Sequence, residues 1–264
     1  MTTASAPPVA AAPVAAAPVT TPTVRSAARR SLFWILGALF LLLIAAITMI
    51  VRGSAAPAGD PLSPTNAAPP GSMAVAEVLR QHGVNVVPTD TLKATHAALA
   101  RHSDSTLLVF DPDTRLDDVQ LRQLEESTGN LVLVTPSFSQ LRALTLHLGQ
   151  AGAAKTSALP AHCTLEAANK AGTISGGGNG YRVLDSGADA TACFSSGKGI
   201  YSLVTSRGDI GQLTVLGAQQ VLANETVAQR GNAALALNLL GSTSTLVWYL
   251  PSIDDVAVTG LPTI

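Results

Sequence analysis

The run from Leu32 to Val51 contains no charged side chain. At ~1.5 Å of rise per residue, a helix of that length covers ~30 Å, the thickness of a bilayer's hydrocarbon core. A run this apolar on every side has no polar face to turn toward water, which excludes an ordinary surface helix. Arg25, Arg29 and Arg30 precede it. Arg52 follows, and no further Lys or Arg occurs before Arg80. Short-range positive charge stays on the cytoplasmic side of a span, so the N-terminus is expected inside and everything after Arg52 outside. A cleaved signal peptide is the competing expectation, with Ala55, Ala56 and Ala58 as a weak cleavage site. The apolar run is long for that, and Arg52 interrupts the approach.

The sequence is expected to divide into four parts. Residues 1–31 are dominated by Ala, Pro, Val and Thr, with no acidic residue, and read as a disordered cytoplasmic tail. Residues 32–51 are the span. Residues 52–70 carry Pro57, Pro61, Pro64, Pro69 and Pro70 and read as a semi-stiff linker. Residues 71–264 are long enough for one domain with a core. Charged residues make up 12% of the chain, aromatics 4%, and the net charge is -1. With no basic block and few aromatics to stack on bases, nucleic-acid binding is disfavoured.

From Gly71 onward, helical and extended patterns alternate. Ser72 is placed to cap a helix with the apolar stripe Val75, Val78 and Leu79, closed by Gly83. A strand is expected over 84–87 and a helix over 92–100. A strand over 106–110, apolar after Thr106, follows, then a helix over 116–126, a strand over 131–134 and a helix over 141–148. Short strands apolar on both faces, separated by amphipathic helices, predict an open, mostly parallel sheet of flavodoxin-like type flanked by helices. The rhythm breaks between residues 149 and 211, where glycine clusters and short alternating segments predict an antiparallel β insertion. It resumes with a strand over 213–216, a mostly helical stretch over 221–241 and a strand over 245–250.

Both cysteines, Cys163 and Cys193, fall in the insertion and, in this topology, outside the membrane. They are expected to be bonded to each other, the alternative being two buried free thiols. A catalytic cysteine is disfavoured, since His162 adjoins Cys163 and adjacent side chains of an extended segment point to opposite faces.

The stretch from Leu222 to Gly241, with Asn224-Glu225, Gly231-Asn232-Ala233-Ala234-Leu235 and Asn238-Leu239-Leu240, resembles a family of actinobacterial membrane proteins. Leu246-Val247-Trp248-Tyr249-Leu250-Pro251 shares the resemblance. That family carries a domain of unknown function. It is similar to the class I glutamine amidotransferase-like fold and to the extracytoplasmic domains of gliding-motility-type ABC transporter accessory proteins. The resemblance covers roughly residues 61–251. It implies partners among other envelope membrane proteins, in a setting associated with a MoxR-type ATPase. Such proteins usually continue into a second membrane helix and a basic tail. The sequence ends at Ile264 without either, so a truncated form or a different topology is expected.

In open α/β sheets, ligands bind beyond the C-terminal ends of the strands. The residues expected to line that crevice are Asp111, Thr135, Ser137, Gly217, Asn224 and Glu225, with Asn232 nearby. An amidotransferase would need a cysteine on the strand-to-helix turn, but that turn reads Thr135-Pro136-Ser137-Phe138. Ser137 is more simply a helix cap, and Asn232 an N-cap. Asn224-Glu225-Thr226 matches a glycosylation acceptor, and Asp185 with Asp189 resembles a fragment of a calcium loop that lacks its closing Glu. Gly176 to Gly180 has no following Lys-Ser/Thr and reads as a turn. The histidines show no metal-ligand spacing, and no cofactor is expected. The expectation is a non-enzymatic, membrane-anchored interaction module. The alternatives are a solute-binding sensor or a hydrolase using the strand-end crevice.

Overall fold

The structure, a computed structural model, describes residues 35–43, 59–185, 189–208 and 210–257. The chain forms two compact units, Met1–Ala56 and Pro57–Ile264. In the first, residues 35–43 are helical and each of them is exposed. Among the described residues no helix is long and apolar enough to cross a membrane. The rest of the expected span 32–51, the expected tail 1–31 and residues 52–58 lie outside the described residues.

The second unit is α/β. Its helices are α1 (Met73–Gln81), α2 (Leu92–Arg101), α3 (Asp118–Glu126), α4 (Phe138–Leu144), α5 (Glu166–Ala171) and α6 (Asn232–Leu240). The parallel strands are β1 (Asn85–Thr89), β2 (Ser105–Phe110), β3 (Asn130–Val134), β10 (Gln212–Leu216) and β11 (Thr245–Tyr249). The remaining strands are β4 (Leu148–Ala153), β5 (Leu159–Pro160), β6 (Thr173–Ile174), β7 (Asn179–Val183), β8 (Ala190–Gly197) and β9 (Ile200–Arg207). The main sheet runs β1-β11-β2-β3-β10-β9-β7-β4, with β8 paired to β9, while β5 and β6 form a separate ladder.

Successive residues of a strand point to opposite faces, and these strands are apolar at both. Leu108, Phe110, Val132, Val134, Leu246 and Trp248 face α1 and α6, which contribute Val75, Leu79, Leu235 and Leu240. Leu107, Val109, Leu131, Leu133, Val247 and Tyr249 face α2, α3 and α4, which contribute Leu99, Leu121, Leu124 and Leu141. Each fully buried Leu or Val contributes roughly 1.5–3 kcal/mol, so the two faces together hold the parallel sheet between two helical layers. The expected mostly parallel α/β sandwich with an antiparallel insertion is what these residues build.

The insertion is tied into the sheet. β9 pairs antiparallel with β10, and Tyr201 of β9 lies opposite Tyr181 of β7. β8 and β9 are joined at Lys198 and Gly199, whose φ values of 54° and 70° make the left-handed two-residue turn that suits the twist of a hairpin. Gly83 has φ 88°, as a helix-closing residue should.

Several expectations need correction. Within the expected β insertion, residues 163–167 read as a short extended segment, but Cys163 and Thr164 lead into α5, which starts at Glu166. The helix expected over 141–148 spans Phe138–Leu144, because Ser137 caps it early, and Leu148 already opens β4. The helix expected from Leu116 starts at Asp118, where Asp117 and Gln120 form a capping box. The stretch 221–241 is helical only from Asn232 to Leu240, after a short 3-10 turn at Gln219–Val221. Ser72 sits at the N-cap of α1 but makes no side-chain capping bond. The side chain of Asn224 does that work, accepting from Ala74 N at 2.9 Å.

The part of the expected linker that is described, residues 59–70, belongs to the folded unit. Leu62 is buried, and Leu62 N donates to Pro70 O at 2.8 Å. Asn66 Nδ2 donates to Gly59 O at 2.7 Å, and its Oδ1 accepts from Ala68 N at 2.9 Å. The prolines stiffen a closed loop here rather than an extended spacer.

Candidate functional site

The C-terminal ends of β1, β11, β2 and β3 are where a ligand crevice was expected. Asp111 directly follows β2 and is only 5% exposed. Its Oδ1 accepts from Arg115 N at 2.9 Å. Its Oδ2 accepts from Leu116 N at 3.0 Å and from Gln140 Nε2 at 2.9 Å. Gln140 Nε2 also reaches Asp111 O at 3.1 Å. The carboxylate therefore folds the 111–116 turn and staples it to α4.

Ser137 and Gln140 form a reciprocal capping box: Gln140 N donates to Ser137 Oγ at 3.3 Å, and Ser137 N donates to Gln140 Oε1 at 2.8 Å. The neighbour of the Ser137 hydroxyl is Ser139 Oγ at 3.0 Å. Among the described residues no histidine or carboxylate is hydrogen-bonded to it. Thr135 has φ 49° and sits at the sharp β3-to-α4 turn. Left-handed backbone is costly for a β-branched residue. Its N–H is used in a bond to Leu216 O at 2.8 Å.

The insertion closes over this turn. Tyr181 is buried, and its hydroxyl donates to Pro136 O at 2.8 Å. Asn179 N donates to Gly217 O at 3.0 Å, and a Cβ at Gly217 would collide with the Asn179 carbonyl. Gly217 is thus a packing glycine. On β11, beside β2, Tyr249 is fully buried, with Asp255, Asp111 and Asp90 nearby. Asp255 is also buried, accepting from Leu92 N at 2.7 Å and Ser252 N at 3.0 Å. The Asp255 carboxylate influences the Tyr249 hydroxyl, but no well-formed hydrogen bond joins them.

Burial raises the pKa of Tyr181. Burial, and then the carboxylates led by Asp255, raise that of Tyr249. A phenol whose folded pKa lies above its unfolded value stabilises the fold fully below the unfolded pKa, and the gain is lost as pH rises. The ordinary value is 10.0. Denaturant midpoints are therefore expected to hold steady up to that pH and fall above it, with Tyr249→Phe flattening the alkaline limb. A midpoint that did not fall in alkali would contradict this.

The other expected site residues lie elsewhere. Asn224 Nδ2 donates to Asn66 O at 2.9 Å and Ala68 O at 2.7 Å. Its N–H bonds Gly71 O, and Glu225 N bonds Pro69 O. Asn224 thus clamps the 59–72 loop, and an amide so engaged is not a presented glycan acceptor. Asn224→Ala should cost about 1–2 kcal/mol and expose the 59–72 loop to protease while the sheet stays protected. The Glu225 side chain is exposed. Asn232 is buried, bonding Ser175 N at 2.9 Å, Ser175 Oγ at 3.1 Å and Thr226 O at 2.8 Å. It is the first residue of α6, and the N-cap is Gly231. Of the expected set, Asp111, Thr135 and Ser137 come together, while Asn224, Glu225 and Asn232 do not join them.

Cys163 and Cys193 form a disulfide with Cα atoms 5.3 Å apart. His147 Nδ1 lies 3.4 Å from Asp185 Oδ2, and residues 186–188 of the expected calcium-loop fragment lie outside the described residues. Among the described residues no group of three or more His, Cys, Asp or Glu is arranged to hold a metal ion.

The sequence matches the family described as "Domain of unknown function (DUF4350)" over residues 64–240. The chain belongs to that family. It is 33% identical over 231 residues to the "Uncharacterized membrane protein Rv3691" of Mycobacterium tuberculosis (strain ATCC 25618 / H37Rv), an alignment covering 87% of this chain and 58% of the relative. The chain therefore spans somewhat more than half the length of that relative. No solved structure matches it.

Proposed function

We propose that this DUF4350 chain is a membrane-anchored interaction module of the cell envelope that works without catalysis. In this reading residues 32–51 span the bilayer and the α/β domain lies outside. The observation that carries it is the bonding of the strand ends. Asp111, Thr135 and Ser137 each have a partner within the domain, and among the described residues no histidine or carboxylate is bonded to the Ser137 hydroxyl. A helix exposed on all sides over residues 35–43 needs an apolar solvent, which supports the anchor. The relative's name as a membrane protein, the disulfide and the Arg distribution support the same topology. The partners it implies are other envelope membrane proteins, including those of a MoxR-associated system. In this reading the resemblance to amidotransferase-like and transporter accessory domains carries no chemistry to this chain.

Two measurements on the full chain test this. Alkaline phosphatase fused after Ile264 should be active, and a reporter that works only in the cytoplasm should be silent there. A fluorophosphonate probe should leave the chain unlabelled, and Ser137→Ala should cost about 1 kcal/mol through the lost cap. Labelling that disappears in Ser137→Ala would establish a hydrolase instead.

A further inference from the structure

We infer that the domain rests on the lipid surface through an apolar patch formed by Phe138, Leu146 and Leu184. These side chains are 58%, 75% and 58% exposed, unusual for large apolar residues. Together with Arg142, Thr145 and Leu148 they line one shallow cavity of about 300 Å³. Three separate pieces of chain build it. Phe138 opens α4, Leu146 lies in the turn after it, and Leu184 follows β7. Leu184 N donates to His147 O at 2.7 Å, which holds the two loops side by side.

The choice of lipid rests on charge and reach. Arg142 is the only charged residue of the lining, and it makes no ion pair among the described residues. After Arg52 the chain carries twelve Lys or Arg against seventeen Asp or Glu. An anionic membrane surface would repel most of such a domain and accept it where apolar side chains surround a lone cation. The lining offers one hydroxyl and one guanidinium, and the rest of it is apolar.

The tether is short. The apolar run ends at Val51 and the folded unit is under way at Gly59, leaving seven residues between. Even fully extended, they reach about 25 Å. This inference rests on the anchored reading, because without a span there is no tether.

The test places a benzophenone amino acid singly at positions 42, 101, 138, 146 and 184 of the full chain. Each variant is reconstituted in vesicles of phosphatidylglycerol and phosphatidylcholine, and adducts are identified by mass. Position 42 lies within the apolar run, and Arg101 is an exposed residue at the end of α2. Lipid adducts at 146 and 184 several-fold above those at 101, reduced by Arg142→Glu, are the expected result. Cross-linked dimers through 146 would assign the patch to a second copy and overturn the proposal. Lipid labelling at 42 with none at 138, 146 or 184 would overturn it while leaving the anchor intact. No lipid labelling at 42 would overturn the anchor, and the surface contact with it. A thermal melt of each variant confirms that the domain is folded before the adducts are compared.

Discussion

Replacing Asp111 with alanine is expected to destabilise the domain by about 3–4 kcal/mol, far more than most single substitutions. The carboxylate is buried and accepts from two backbone N–H groups and the Gln140 amide. Alanine leaves the two backbone donors without a partner in a place water reaches poorly and the Gln140 amide with only the Asp111 carbonyl, and each unpaired donor costs about 1–3 kcal/mol before relaxation. Asn is the informative second substitution. It keeps one acceptor for Arg115 N but turns an N–H toward Leu116 N and the Gln140 amide, so Asp111→Asn should recover only part of the loss. A catalytic carboxylate would behave in the opposite way, since the isosteric amide would preserve stability. Urea midpoints at constant slope decide the matter. An Asp111→Asn midpoint equal to the parent's would return Asp111 to the list of functional candidates.

That contrast shows how much of the site was legible in the sequence. The parallel strands were legible almost to the residue. Leu131 to Val134 is apolar at every position and Leu213 to Leu216 at all but Thr214, because both faces of the sheet are covered, and the observed strands Asn130–Val134 and Gln212–Leu216 add one residue each. The capping box at Ser137 and Gln140 was legible as spacing. The bond from Gln140 to Asp111 was not, since it joins residues 29 apart in sequence. Polar residues at strand ends look the same whether they wait for a ligand or hold the chain. The distinction lies in where neighbouring N–H groups point, and spacing does not contain that. The overextended helix before α6 has a similar cause. Nothing in the 221–231 stretch breaks a helix until Gly231, yet Asn224 is drawn off to clamp the 59–72 loop, and Thr226 Oγ1 bonds Gln220 O at 2.5 Å. Tertiary bonds override local propensity there. The proline-rich segment misled for the complementary reason. Proline favours extended backbone, and bonds across the loop together with the distant partner Asn224 turn that stiffness into a closed loop.

The second large effect is expected at the disulfide. Serine at both Cys163 and Cys193 should lower stability by about 3–4 kcal/mol, the chain-entropy value for a loop of this size. The bridge links residues 30 apart and joins the segment leading into α5 to β8. Without it, the principal ties across that seam are the packing of buried Phe194 and the bond from its N–H to Ala161 O at 3.0 Å. For a domain near 200 residues this corresponds to a fall in melting temperature of about 10 °C. The loss should be local in character. Hydrogen exchange should quicken in β5, α5, β6 and β8, while β2, β3, β10 and β11 remain protected by the two apolar layers. The same experiment bears on location, because the bond persists only in an oxidising compartment. Chain recovered from its own membranes under alkylating conditions should carry no maleimide label at either thiol. Two labelled thiols, or a melting temperature indifferent to the double substitution, would remove both the staple and this support for an extracytoplasmic domain.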